Sequence, residues 1–162
     1  MTASPDELAD DIGRLLQQQG ASIAVAESLT GGLLVQALAR TSGSGEWLAG
    51  GIVAYATEVK RRLLDVTAPK VVSAECAEQM ATGVRERLAA DVAVAVTGVG
   101  GPDAQDGEPP GTVWIAVDSG SGPRAVLLDT EGDPTAICAA SVNEALRQVA
   151  DALRSSTGDG SC

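Results

Sequence analysis

The sequence predicts a three-layer α/β/α sandwich on a mixed, mostly parallel sheet, with an antiparallel hairpin toward its C-terminal end. Three observations carry that expectation. Strand-like and helix-like segments alternate through the first two-thirds of the chain, as they do where helices cover both faces of a parallel sheet. The run Val92-Ala93-Val94-Ala95-Val96 is apolar at every position, the mark of a strand buried on both faces. Residues 112–117 and 124–129 are strand-like and flank Asp118-Ser119-Gly120-Ser121-Gly122-Pro123, a turn composition that reads as a hairpin.

Each element has its own signals. Ser4-Pro5-Asp6-Glu7 combines a capping serine, a proline at the first helical position and a glutamate three residues after the cap, and so opens a helix. Leu8, Ile12, Leu15 and Leu16 recur at helical spacing, and Gly20 suits the terminator. Residues 22–26 read as a short buried strand that runs into the polar turn Glu27-Ser28-Leu29-Thr30-Gly31-Gly32. A helix follows through Leu33, Leu34, Ala37 and Leu38. After a Ser/Gly loop at 41–45, residues 47–49 lead into a second strand over 51–55. Thr57 is placed to cap a short helix that contains Lys60 and ends near Asp65. Ser73 caps a longer helix reaching Arg87 or Ala90. A Gly/Pro-rich loop over 97–111 follows the apolar strand, and the last helix is expected over about 135–153. The expected organisation is one domain over residues 1–154 and a disordered tail over 155–162.

Composition excludes several chemistries. The 162 residues contain no histidine and no phenylalanine, two tryptophans and one tyrosine. Histidine-based triads, HExxH metalloprotease sites and histidine-ligated zinc are therefore ruled out, and acid–base work falls to carboxylates, lysine, tyrosine or cysteine. With 44% apolar but only 2% aromatic residues, the core is built from Ala, Val, Leu and Ile. A net charge of -11 opposes nucleic acid and anionic membrane surfaces, while leaving room for a local pocket that binds a small anion. Cys76, Cys138 and Cys162 are widely spaced, with no CxxC pair, so neither a disulfide nor a metal framework is expected. No apolar run approaches the ~18 residues of a membrane span, and the expected location is the cytoplasm.

In sheets of this kind the ligand crevice lies beyond the carboxyl ends of the parallel strands. Glu27-Ser28, Tyr55 and Thr97-Gly98 each follow a predicted strand, so three distant segments should meet at one edge. Thr30-Gly31-Gly32 at a helix start either offers free amides to a phosphate or simply makes a tight connection. Ser28 is a turn residue or an exposed nucleophile. Lys60, one of two lysines, is a solvated surface charge or a general base whose pKa the helix N-terminus lowers; a serine–lysine pair is the main nucleophile–base arrangement open to a chain without histidine. Tyr55 can orient Ser28, donate a proton or stack on a ring, or sit at the core edge. Glu27 either positions the lysine or a substrate hydroxyl or caps the next turn. The glycine-dense loop from Thr97 through Gly98, Gly100 and Gly101 can present amides to a phosphate or an oxyanion. Asp103, Asp106 and Glu108 lack calcium-loop spacing and read as a solvated acidic loop. The cysteines read as small apolar fillers.

Four segments, AESLTGG at 26–32, GGIVAYATEVK at 50–60, TGVGGPD at 97–103 and GTVW at 111–114, together resemble the CinA C-terminal domain family, whose members include stand-alone nicotinamide mononucleotide deamidases. The likeness covers nearly the whole chain. It implies a hydrolase that converts nicotinamide mononucleotide to nicotinate mononucleotide and ammonia without metal or cofactor, in pyridine nucleotide recycling. On that resemblance Ser28, Tyr55 and Lys60 fall on active-site positions, and Thr30, Thr97 and the neighbouring glycines line the nucleotide pocket. A homodimer or higher oligomer is also implied, with no nucleic acid or membrane partner. Two departures stand out. The chain has Gly43-Ser44-Gly45 where a third-position serine is common, so Ser44 is the hydroxyl left for substrate contact. It has Gly132-Asp133-Pro134 and Cys138 where the family usually carries arginines, which would weaken a phosphate contact. The alternative is thus a CinA-like protein that binds a nucleotide or partner without hydrolysis.

Overall fold

The computed structural model describes residues 2–158. Helix α1, Pro5–Gln19, opens on a complete capping box between Ser4 and Glu7, and Gly20 closes it in the left-handed region at φ 61°. Strand β1 is Ile23–Glu27, helix α2 is Leu33–Ala39, and a single 3-10 turn at Ser44–Glu46 leads into β2, Leu48–Val53. Helices α3, Thr57–Leu64, and α4, Ala74–Arg87, precede β3, Val92–Gly98. The hairpin is β4, Thr112–Asp118, and β5, Pro123–Asp129, and α5, Pro134–Thr157, ends the described chain.

The sheet order is β2-β1-β3-β4-β5. It is mixed as expected, with its parallel part confined to β2-β1-β3; β4 and β5 run antiparallel. Alternation along the central strands sorts side chains between two layers. Ile23, Val25, Val92, Val94, Val96 and Ile115 pack with α1, α2 and α5 in one core. Ala24, Ala26, Ala93, Ala95 and Ala116 pack with α3 and α4 in the other. Methyl-sized side chains on that second face let α4 lie close to the sheet. The closeness extends to α3, since a Cβ on Gly83 would stand 2.3 Å from the Leu64 carbonyl oxygen. Full burial of each Val, Ile or Leu in these layers is worth about 1.5–3 kcal/mol.

Four boundaries differ from the sequence expectation. Strand β2 covers Leu48–Val53 and not 51–55, because β1 pairs with it from Leu48 to Val53 and leaves Ala54 and Tyr55 beyond the strand. Strand β3 takes in Thr97 and Gly98, which had read as loop, because both are paired by Trp114 and Val113 of β4. Thr57 is the first residue of α3 and not its cap; Ala56 holds the cap position without a side-chain bond. The tail expected from residue 155 begins as helix. The Ser155 and Ser156 hydroxyls bond back to the Asp151 and Ala152 carbonyls, Arg154 pairs with Asp11, and Leu153 is buried, so α5 continues to Thr157. Residues 159–162, the rest of that expected tail, lie outside the described residues. Among the described residues no helix is long and apolar enough to cross a membrane.

Candidate active site

Both parallel strands that lead into helices end at the same edge of the sheet, and each of the two turns there holds one buried charged side chain. In the first, Glu27 is the last residue of β1 and fully buried. Its carboxylate accepts hydrogen bonds from the Gly32, Leu34 and Val35 amides at 3.2, 2.9 and 2.9 Å. A carboxylate at a helix N-terminus satisfies the donors the helix leaves open and meets the positive end of its dipole. Two of the amides of Thr30-Gly31-Gly32 are therefore taken within the chain, Gly32 by Glu27 and Gly31 by the Ser28 carbonyl, and the next amide, Leu33, is taken by the Thr30 carbonyl. Of the two readings of Glu27, the cap is the one the structure shows. The two glycines serve backbone geometry, at φ 59° and 109°.

In the second turn Lys60, near the start of α3, is 2% exposed. It is not the solvated charge that a lysine beside Arg61 and Arg62 suggests. Its Nζ donates to the Tyr55 carbonyl at 3.1 Å, the chain segment between β2 and α3. Burial pushes the Lys60 pKa down, against the opposing charges of Cys76 and Asp106. The direction matches the sequence expectation, and the leading cause is desolvation, not the helix dipole. Lys60 stands four residues before Leu64, the other buried residue of α3, and that shared helical face is the signal in the sequence that marks it as inward.

Between these turns lies a cleft of about 280 Å³ lined by Ser28, Leu29, Tyr55 and residues 98–105. Ser28 sits at the carboxyl end of β1, 7% exposed. Tyr55 stands two residues beyond β2 and is 71% exposed, a ring presented to solvent at the cleft wall. Asp103 is the charged residue of the lining, which contains no lysine or arginine. Gly98, Gly100 and Gly101 bring backbone to the cleft. Gly98 is also required by the sheet, because a Cβ there would stand 2.5 Å from the Thr112 carbonyl oxygen.

Behind the cleft, Thr97 is buried and its hydroxyl donates to the Val71 carbonyl at 2.7 Å, and it also meets the Cys76 thiol. Burial raises the Cys76 thiol, with the Lys60 charge opposing. Sequence reasoning assigned Cys76 no role beyond filling, and its neighbours Lys60 and Thr97 come from segments far away in sequence. Thr30 is buried in the β1–α2 turn with its hydroxyl unpartnered among the described residues. Cys138 of α5 contacts the same turn, its Sγ donating to the Leu29 carbonyl at 3.3 Å.

Lys60, Glu27, Thr30, Gly31, Gly32 and Thr97 are not among the residues that line this cleft, and Ser44 lies at the other end of the strands. Its hydroxyl donates to the Ala39 carbonyl at the far end of α2, next to the start of β2, which is in register with the start of β1. The length of β1 separates it from Ser28, on the order of 13 Å at ~3.3 Å per residue. Gly45 lies beside it, in the same 3-10 turn. Pro134 is the first residue of α5, where Asp133 caps the helix through the Ala136 amide at 2.8 Å.

The fold is a three-layer α/β domain with a polar cleft across the carboxyl ends of its parallel strands, the edge where open α/β sheets place their ligand crevices. Residues 5–153 match the CinA C-terminal domain, and the chain belongs to that family. A CinA-like protein of Gemmatimonas aurantiaca is 38% identical over 160 residues, covering 93% of this chain and 37% of its own length. A CinA-like protein of Synechococcus sp. is 43% identical over 121 residues, covering 71% and 29%. The chain thus spans between 29% and 37% of the length of these two relatives. Solved structures are similar end to end. A competence-damaged protein (CinA) superfamily protein of Klebsiella pneumoniae superposes with TM-score 0.89 at 32% identity, covering 94% of this chain and 99% of its own. A competence/damage inducible protein, CihA, of Agrobacterium tumefaciens gives 0.87 at 33%, covering 95% and 99%.

Proposed function

We propose that this domain is an amidohydrolase that converts nicotinamide mononucleotide to nicotinate mononucleotide and ammonia. The observation that carries the reading is Lys60: a buried amine with a lowered pKa, held at the strand edge by the carbonyl of Tyr55, whose ring stands with Ser28 at the cleft. Burial favours the neutral amine, the form that accepts a proton. In the covalent route the Ser28 oxygen bonds to the carboxamide carbon while its proton passes to Lys60, and Lys60 returns the proton to the departing ammonia. Water then cleaves the acyl-serine to the acid. In the direct route Lys60 takes the proton from water, which attacks the same carbon, and returns it to the nitrogen as the C–N bond breaks and ammonia leaves. Gly100 and Gly101 line the cleft and their amides are the donors offered to the oxyanion, the Val99 amide being taken by the Thr112 carbonyl. Its volume, about 280 Å³, suits the nicotinamide ring and its carboxamide, with ribose and phosphate toward the open side.

The absence of a cation from the cleft lining favours a second reading, a CinA-like domain that holds a nucleotide or a partner without hydrolysing it. Cys138 against the Ser28–Leu29 turn, where the resemblance calls for an arginine, points the same way. Ammonia release from nicotinamide mononucleotide separates the two. The hydrolase reading expects turnover that disappears in folded Lys60→Ala and Ser28→Ala variants. Saturable binding with no ammonia supports the second reading, and full turnover in both variants removes these residues from the reaction.

A further inference from the structure

Asp106 was expected to be a solvated loop acid, and the structure gives its carboxylate a more definite place. The residue sits in the left-handed region at φ 54°, inside a tight turn closed by the Gln105–Glu108 bridge. One oxygen, Oδ2, accepts both the Val71 amide at 2.9 Å and the Val72 amide at 3.2 Å. Those two residues belong to the connection between α3 and α4, whose other end is fixed by Gln79 through the Thr67 and Ala68 amides. The Thr97 hydroxyl joins the same connection at the Val71 carbonyl. The loop that forms one wall of the cleft is therefore tied at both ends to one short stretch of backbone: at its start by Thr97 and at its far side by Asp106.

We propose that Asp106 is a positioning residue for the reaction: its carboxylate latches the 98–105 wall of the cleft to the α3–α4 connection and from that place acts on the Lys60 amine. The second half rests on the reading of Lys60 as the base. The titratable groups that act on Lys60 are the Cys76 thiol from α4 and Asp106 from the loop, and both favour the ammonium form against burial. Arg61 and Asp106 act in turn on Cys76. Removing the Asp106 charge lowers the Lys60 pKa further, so the amine stays neutral to lower pH.

Because both latch bonds converge on one oxygen, the two roles are separable. Asp106→Asn keeps a carbonyl oxygen for both amides and deletes the charge, whereas Asp106→Ala deletes both. The chain has only Lys60 and Lys70, so a ¹³Cε-lysine NMR titration follows Lys60 directly, with Lys70→Arg to assign the signals. In Asp106→Asn the Lys60 midpoint moves to lower pH, the acid limb of kcat/KM for nicotinamide mononucleotide moves with it, and KM stays within about twofold. Asp106→Ala shows the same Lys60 movement, with KM raised roughly fivefold by loss of the ordered wall, the worth of about one hydrogen bond. An unmoved Lys60 midpoint in Asp106→Asn overturns the charge, and an unchanged KM in a folded Asp106→Ala overturns the latch. If the wild-type domain releases no ammonia, the hydrolase reading fails by itself, while the NMR titration still decides whether Asp106 acts on Lys60.

Discussion

The two turns that leave β1 and β2 begin alike, each running from a strand end into a helix at the same edge of the sheet, and they handle a buried charge in opposite ways. In the β1–α2 turn the Glu27 carboxylate has three backbone amides around it. In the β2–α3 turn the Lys60 ammonium has one carbonyl, and burial disfavours its charge. A fully bonded charge stabilises the fold and is inert. A charge held by a single bond costs stability, and that cost is what makes the group reactive. On the proposed reading the first turn is scaffold and the second carries the chemistry, although the sequence offers a charged residue and a polar neighbour in both.

Substitutions can break this contrast, the largest effect first. Lys60→Met, similar in shape but without the amine, should lower ammonia release about 10²–10⁴-fold with the fold intact, the usual worth of a general base. Turnover assays with circular dichroism check both halves. Glu27→Ala leaves the helix amides without their acceptor and should cost roughly 3 kcal/mol. Thermal unfolding should register that as a fall of roughly 6–12 °C. A loss below about 1 kcal/mol would mean that Glu27 is not the anchor of its turn.

A third buried charge sharpens the comparison from the end of β4. Burial by itself would raise the Asp118 carboxyl, but the Gly120 amide, the Thr82 hydroxyl and Arg85 outweigh it and hold the pKa below 3.8. Stability from this group is complete above the unfolded value near 3.8 and is lost as pH falls through the lower folded value. Asp118→Asn should therefore cost about 1.5–3 kcal/mol at neutral pH, and its unfolding curve should converge on wild type under acid conditions. Lys60 carries the opposite sign. Its lowered pKa makes the folded state bind fewer protons than the unfolded one, so stability rises with pH up to the ordinary value of 10.5. Lys60→Met should be equal to or up to ~1 kcal/mol more stable than wild type at neutral pH, with the gap closing as pH rises. A clearly destabilised Lys60→Met would place Lys60 with Glu27 as a structural charge.

Local patterns made the fold legible. The capping box at Ser4–Glu7, the Val/Ala alternation of residues 92–96 and the turn between residues 118 and 123 each act within a few residues, and each appears where the sequence puts it. The site was legible only as a set of strand ends. Ser28, Tyr55 and the 98–101 backbone meet at one cleft because strand order brings them there. In the sequence Lys60 stays open between a surface charge and a base, because its burial depends on α4 packing over α3. Asp106 depends on amides about 35 residues away, a pairing that no local spacing encodes. Ser44 lies away from the cleft for the same reason in reverse: its motif is local, but α2 carries it to the other end of the sheet.

The central claim, that the second turn holds its lysine ready to act as a base, is tested most directly by titrating ¹³Cε-labelled Lys60 and measuring kcat/KM for nicotinamide mononucleotide across the same pH range. The account predicts a Lys60 midpoint below the ordinary lysine value of 10.5 that coincides with the acid limb of the rate profile. A midpoint at the ordinary value, or an acid limb that persists unmoved in Lys60→Met, would contradict it.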